Sequence, residues 1–173
     1  MDLLRIGDKV LDRERVHKLV DRALEMRSAG VSQQEVAKTL GTERSFISRL
    51  ESLGEIRKGG QIALVGFPVE NKEELERMAR EEGVDFIFLL TEEERWRFIE
   101  NKSGLELFNE IMELIARAKT YSKVIFLGSD MRIRLMEALL DKKVFGIELG
   151  TSPLKKDVYV DPEELREIIR SLS

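Results

Sequence analysis

The sequence predicts an α/β fold with an N-terminal all-α domain, and three observations carry that prediction. From Gln61 onward, short and nearly continuous apolar runs alternate with amphipathic stretches, the pattern of strands buried on both faces and joined by helices. Between Asp12 and Leu53 the apolar residues instead recur at helical spacing. Glu55 to Gly60 (EIRKGG) separates the two patterns, charged at first and then a Gly pair, and reads as a linker. The expected domains are therefore residues 1–58 and 61–173.

Taken in order, Leu3 to Leu11 adds a short strand or arm. Asp12 to Ser28 places Val16, Leu19, Val20, Ala23 and Leu24 on one helical face, a first helix that packs under a helix pair. Its His17, the only histidine, reads as a solvated helix residue rather than a catalytic one. Ala29-Gly30 ends this helix, and Ser32 with Glu35 forms a capping box for the next. Residues 32–53, SQQEVAKTLGTERSFISRLESL, hold two short helix-period patterns. Val36, Ala37 and Leu40 make the apolar face of one, and Phe46, Ile47 and Leu50 that of the other. Gly41 sits between them, where a left-handed backbone is least strained without a side chain. Ala37 is small where two steeply crossing helices approach most closely. Arg44, Ser45, Ser48 and Arg49 occupy the outer face of the second helix, hydrogen-bonding groups of the kind that read base edges or hold phosphates. This arrangement is a helix-turn-helix, whose second helix enters the DNA major groove.

The stretch resembles the Cro-repressor class of helix-turn-helix proteins over about residues 13–56. On that family's pattern Gln33 opens the first helix, Ala37 is the crossing residue, Gly41 the turn glycine and Ile47 the buried anchor. Ser48-Arg49-Leu50-Glu51 is similar to the frequent end of the recognition helix. The resemblance implies that Gln33 touches a phosphate and that Arg44, Ser45, Ser48 and Arg49 lie at or near the bases. Two residues depart from the pattern. Thr42 stands where the family usually has an apolar residue, and Glu43 brings an anion to the start of the recognition helix.

In the second domain IALVGF, VDFIFLL, KVIFLGS and VFGIEL are the strands. Helices are expected at Lys72–Glu82, at Glu92–Ala118 with a break near Lys102–Gly104, at Met131–Leu140 and at Pro162–Leu172. Their starts are marked by Asn71 with Glu74, Thr91 with Glu94, Ser103 with Glu106, and Asp161-Pro162 with Glu164. The alternation predicts a small open parallel sheet of about four strands with flanking helices, Rossmann-like in layout.

Composition narrows the function. There is no cysteine, which removes disulfides and thiolate metal sites and suits a cytoplasmic protein. No apolar stretch is long enough to span a bilayer, so no membrane partner is expected. Net charge is −4, unevenly placed: residues 1–60 hold 12 Lys/Arg against 10 Asp/Glu, and residues 61–173 hold 17 against 23. The acidic excess lies wholly in the second domain. Phosphate attraction depends on charge within about 8–10 Å, so the first domain keeps a mildly cationic balance, and affinity is expected to need a dimer. The second domain has neither His nor Cys, which excludes the usual nucleophile pairs and argues against an enzyme. It also lacks the glycine fingerprints of dinucleotide and P-loop sites, so no cofactor and no metal are expected.

Ligands of open α/β sheets sit at the carboxyl ends of the strands. There the candidate ligand-binding residues are Gly66, Gly128, Ser129, Asp130, Thr151 and Ser152, the site of a small-molecule effector. The helix around Leu105, Leu107, Phe108, Ile111, Met112, Leu114, Ile115 and Ala118 is apolar over more than one stripe, which suits either a deep core or a homodimer interface. The function expected is a sequence-specific, homodimeric transcriptional regulator of double-stranded DNA. The alternative is a helix-turn-helix adaptor or antitoxin-like protein whose α/β domain binds a protein partner.

Overall fold

The computed structural model describes residues 2–55, 59–141 and 144–173. The chain divides into two compact units, Met1–Ile56 and Arg57–Ser173. Of the expected linker, residues 56–58 lie outside the described residues.

The first unit is not all-α. It opens with an antiparallel hairpin, β1 (Leu3–Ile6) and β2 (Lys9–Asp12), paired from Leu3 opposite Asp12 to Ile6 opposite Lys9. Gly7, at φ 58°, makes the two-residue turn with Asp8. Asp12 ends β2 and also caps α1 (Arg13–Ser28), its carboxylate accepting from the Arg15 N–H. α2 (Gln33–Leu40) starts on Ser32, whose hydroxyl accepts from the Glu35 N–H at 3.2 Å. α3 (Arg44–Gly54) comes next. The core is small: Ala23, Val36, Ala37 and Ile47 are buried, with Met26, Val31, Leu40 and Leu50 half-buried around them. Two expected core residues of α1, Val16 and Leu24, are exposed. Phe46 is 40% exposed, because it flanks rather than shares the stripe of Ile47 and Leu50.

The second unit is the expected α/β sheet. Its strands are β3 (Ile62–Gly66), β4 (Phe86–Leu89), β5 (Lys123–Ser129) and β6 (Val144–Gly150), all parallel in the order β4-β3-β5-β6. The chain steps outward from β3 to β4, then returns past β3 to β5 and β6. Crossovers of one hand in opposite directions put helices on opposite faces. α4 (Lys72–Glu81) and α8 (Pro162–Leu172) cover one face, where Leu75, Met78, Leu165, Ile169 and Leu172 bury Leu64, Ile125 and Leu127. α6 (Gly104–Thr120) and α7 (Asp130–Leu140) lie on the other, with Ala63, Val124, Ala118 and Leu140 at its centre. α5 (Glu92–Glu100) precedes α6, so the expected break falls at residues 101–103.

Polar groups close the layers. Thr91 and Ser103 form complete capping boxes with Glu94 and Glu106. Asn71 does not cap α4 with its side chain. Its amide donates to the Val160 carbonyl and accepts from the Val160 N–H, standing in for a strand partner. Lys123 is buried and donates to the Leu172 carbonyl, a cation at the carbonyl end of α8. Glu82 takes Arg170 at 2.7 Å and Arg166 at 3.5 Å, tying α4 to α8.

Candidate functional site

In the first unit, the turn between α2 and α3 is made by Gly41 in left-handed backbone, φ 65° and ψ 36°. Its N–H reaches the Lys38 carbonyl and the Thr42 N–H reaches the Ala37 carbonyl, so the end of α2 is closed by backbone alone. Ile47 turns inward onto Ala23, Val36 and Ala37. The opposite side of α3 therefore faces solvent, and there Arg44, Ser45, Ser48 and Arg49 are all exposed.

These residues are not equally free. Gln33, half-buried, donates from its amide to Glu51 Oε2 at 2.7 Å and accepts from Arg44 Nε at 3.4 Å. Glu51 also takes Arg27 of α1. The hydrogen bonds from Arg27 and then Gln33 hold the Glu51 carboxyl below its ordinary value. This chain of contacts joins all three helices, and the spacing within the motif carried no signal of it. Gln33 is thereby a brace for Arg44 and α3 in the free protein. Ser45 donates to Glu43 at 3.2 Å. Among the described residues no side-chain hydrogen bond or ion pair engages Arg49.

In the second unit, the order of the strands reverses direction between β3 and β5, which places the crevice of an open α/β sheet outside their carboxyl ends. A cleft of about 220 Å³ lies there, lined by Phe67 and Pro68 after β3, Ser129 at the end of β5, Arg132 of α7, and Arg95, Trp96 and Ile99 of α5, with Ser152 to Leu154 closing it. The β5–β6 pairing slips between Gly128 and Ser129, a bulge of the kind that re-aims a side chain.

Of the six candidate ligand residues only Ser129 and Ser152 line this cleft. Gly66 and Gly128 have packing reasons for lacking a side chain. A Cβ on Gly66 would sit 2.7 Å from the Leu127 Cβ, and one on Gly128 would sit 2.6 Å from the Phe126 ring. Asp130 is occupied with the protein itself: it accepts from the Ser152 N–H at 2.8 Å and pairs with Arg134 at 3.1 Å. The N–H groups of Ser152 and Met131 hold its carboxyl below the ordinary value. It staples the β6 exit to the start of α7. Thr151 is exposed and lies outside the lining set. Arg95 and Arg132 went unrecognised as cleft residues because nothing local distinguishes them from the many other cations of this chain.

Beneath the cleft, on the α6/α7 face, lies a second hollow of about 270 Å³. Its floor is Val65, Phe86, Phe88 and Phe126, alternate residues of three strands, and its walls are Leu107, Ile111, Leu114 and Ile115 of α6 with Leu135, Met136 and Leu139 of α7. Phe67 and Phe126 meet edge to face at 5.7 Å between ring centres where the two recesses adjoin. The outward side of α6 is apolar as well: Leu105 is 70% exposed, Phe108 60% and Met112 48%.

Among the described residues no group of His, Asp and Glu side chains could hold a metal ion, and no helix is long and apolar enough to cross a membrane. Comparison of the chain with protein-family models, with curated proteins and with solved structures finds no match in any of the three.

Proposed function

We propose that the protein is a cytoplasmic, sequence-specific DNA-binding transcriptional regulator, not an enzyme, whose first unit is a Cro-like helix-turn-helix and whose second unit dimerises and senses a small molecule. The observation that carries this reading is the outer face of α3. Two exposed arginines and two exposed serines share it, while the inner face is anchored by Ile47 and the helix is set by a left-handed glycine turn. In this mechanism α3 lies in the major groove. Arg44 and Arg49 contact guanine edges or phosphates, Ser45 and Ser48 supply adaptable hydrogen bonds, and Gln33 aims Arg44 or turns to a phosphate. A two-fold dimer reads half-sites about 34 Å apart. The stripe Leu105, Phe108 and Met112 supports dimerisation, since a monomer rarely leaves such a row in water.

Selection of bound sequences from random DNA tests the reading directly, and a palindromic consensus is the expected result. Arg44→Ala and Arg49→Ala each lower affinity for that consensus by about tenfold or more. Full-strength binding by both variants, or no enrichment of any sequence, removes the proposal. The adaptor or antitoxin-like reading draws on the same apolar stripe with a different protein on it. Sedimentation of the purified chain separates the two: a dimer at micromolar concentration supports the regulator, and a monomer favours the adaptor.

A further inference from the structure

The cleft and the hollow of the second unit adjoin, with Phe67, Arg95, Ile99 and Arg132 lining both. The inner part is almost wholly apolar, and among the described residues the only charged ones at its border are Arg95 and Arg132, which it shares with the cleft. A dry apolar cavity of about 150 Å³ already takes a benzene ring, so 270 Å³ admits a larger apolar body.

The charged side chains that line the two recesses are Arg95 and Arg132. Arg95 donates to Glu92 Oε1 at 2.8 Å, which neutralises that pair. Asp130 is matched by Arg134. The Arg132 side chain is exposed and has no ion pair or hydrogen bond among the described residues. One unmatched guanidinium beside an apolar hollow selects a molecule with an apolar body and one negative charge, and the planar fork of arginine fits a carboxylate. Ser129, buried, and Ser152, half-buried, line the outer part, where the head group would lie. The hollow and the proposed dimer stripe occupy adjoining strips of α6: Leu107, Leu114 and Ile115 are half-buried at the hollow, Ile111 is 43% exposed at its rim, and Leu105, Phe108 and Met112 are exposed beside it.

We propose that this recess binds an amphipathic monocarboxylate, its carboxylate held by Arg132 beside Arg95 and its apolar body lying on Phe88 and Phe126. The proposal deepens the sensing role given to the second unit and rests on that reading for its purpose. Trp96, the only tryptophan, lines the cleft and reports occupancy by its emission. The full chain is titrated with decanoate, phenylbutyrate, decanol and decylamine, each below its micelle-forming concentration, following Trp96 emission and heat of binding.

At least one of the two acids is expected to bind saturably, and which one does so distinguishes a straight chain from an aryl body. Decanol or decylamine should bind about tenfold or more weakly than that acid. Arg132→Glu should reverse the order of acid and amine, with circular dichroism confirming that the variant is folded. Equal binding of acid and alcohol, no response to any probe, or an unchanged preference in Arg132→Glu overturns the proposal. Uptake only by diluted, monomeric protein also overturns it, because a second copy would then own the hollow. Loss of DNA selection with acid binding intact overturns the regulator alone; the converse overturns this site alone.

Discussion

The two faces of the sheet in the second unit are made from the same four strands and finished differently. Facing α4 and α8, the strands present Ile62, Leu64, Ile87, Leu89, Ile125 and Leu127, and the helices answer with Leu75, Leu165, Ile169 and Leu172. That face is filled. Facing α6 and α7, β3 presents only Ala63 and Val65, and β6 presents Val144 and Gly146, while the large residues are the aromatic rings of Phe86, Phe88 and Phe126. A Cβ on Gly146 would fall inside van der Waals contact of Ile133, so α7 sits hard against β6. α6 is buried at Ala118, near its carboxyl end, and exposed at Leu105 and Phe108, near its start. The difference teaches that strand alternation assigns residues to a layer without saying whether the layer closes. A close-packed interior leaves few voids larger than a water molecule, so an open apolar layer in an otherwise dense unit is the natural place to look for a ligand.

The largest effects that would break or sharpen this contrast belong to the filled face. Leu75→Ala and Leu165→Ala remove fully buried side chains and should each cost about 2–5 kcal/mol of stability in urea unfolding. A loss under about 1 kcal/mol would mean that this face is no better packed than the other. Next comes Gly146→Ala, which forces α7 away from β6 and should cost about 1–3 kcal/mol by overpacking. A neutral result would show that α7 is free to shift. Leu135→Ala, on the wall of the hollow and half exposed, should stay within about 0.5 kcal/mol of wild type. A larger loss would mean that the hollow is closed in solution.

The smallest expected effect is one of pH. Arg170, then Arg166, holds the Glu82 carboxyl below its ordinary value of 4.5. A carboxyl whose folded value is depressed stabilises fully above the unfolded value and loses that contribution as pH falls through the folded one. Stability should therefore decline as pH drops below about 4.5, and Glu82→Gln should flatten that decline. The same slope in Glu82→Gln would assign the acid sensitivity to other carboxyls.

What was legible in the sequence came from local signals. The four strands announced themselves as nearly continuous apolar runs, and Thr91–Glu94 and Ser103–Glu106 marked the starts of α5 and α6. The hairpin of residues 3–12 was half seen. Its apolar residues remain exposed, so LLRIGDKVLD lacks the in-out alternation that a half-buried ribbon would print in the sequence. Strand order was not legible, because a crossover helix reads the same whichever way it steps. The candidate site was legible only by region. The carboxyl edge was expected as the place, but Gly66 and Gly128 are small to let Leu127 and Phe126 pack, and Asp130 is spent on a staple. Arg95 and Arg132 reach the cleft through the courses of α5 and α7 over the edge, which no short motif encodes.

The contact between Gly146 and Ile133 also has a genetic meaning. The two positions share one parcel of space, so what is constrained there is their combined volume rather than either residue. Ile133→Ala leaves a gap, Gly146→Ala a collision, and the pair together restores much of the original fit. Neighbours that share a volume depart from additivity by about 0.5–3 kcal/mol. Each substitution is thus harmful alone and tolerable in company, which makes this helix–strand crossing a place where the history of one position decides what the other can become.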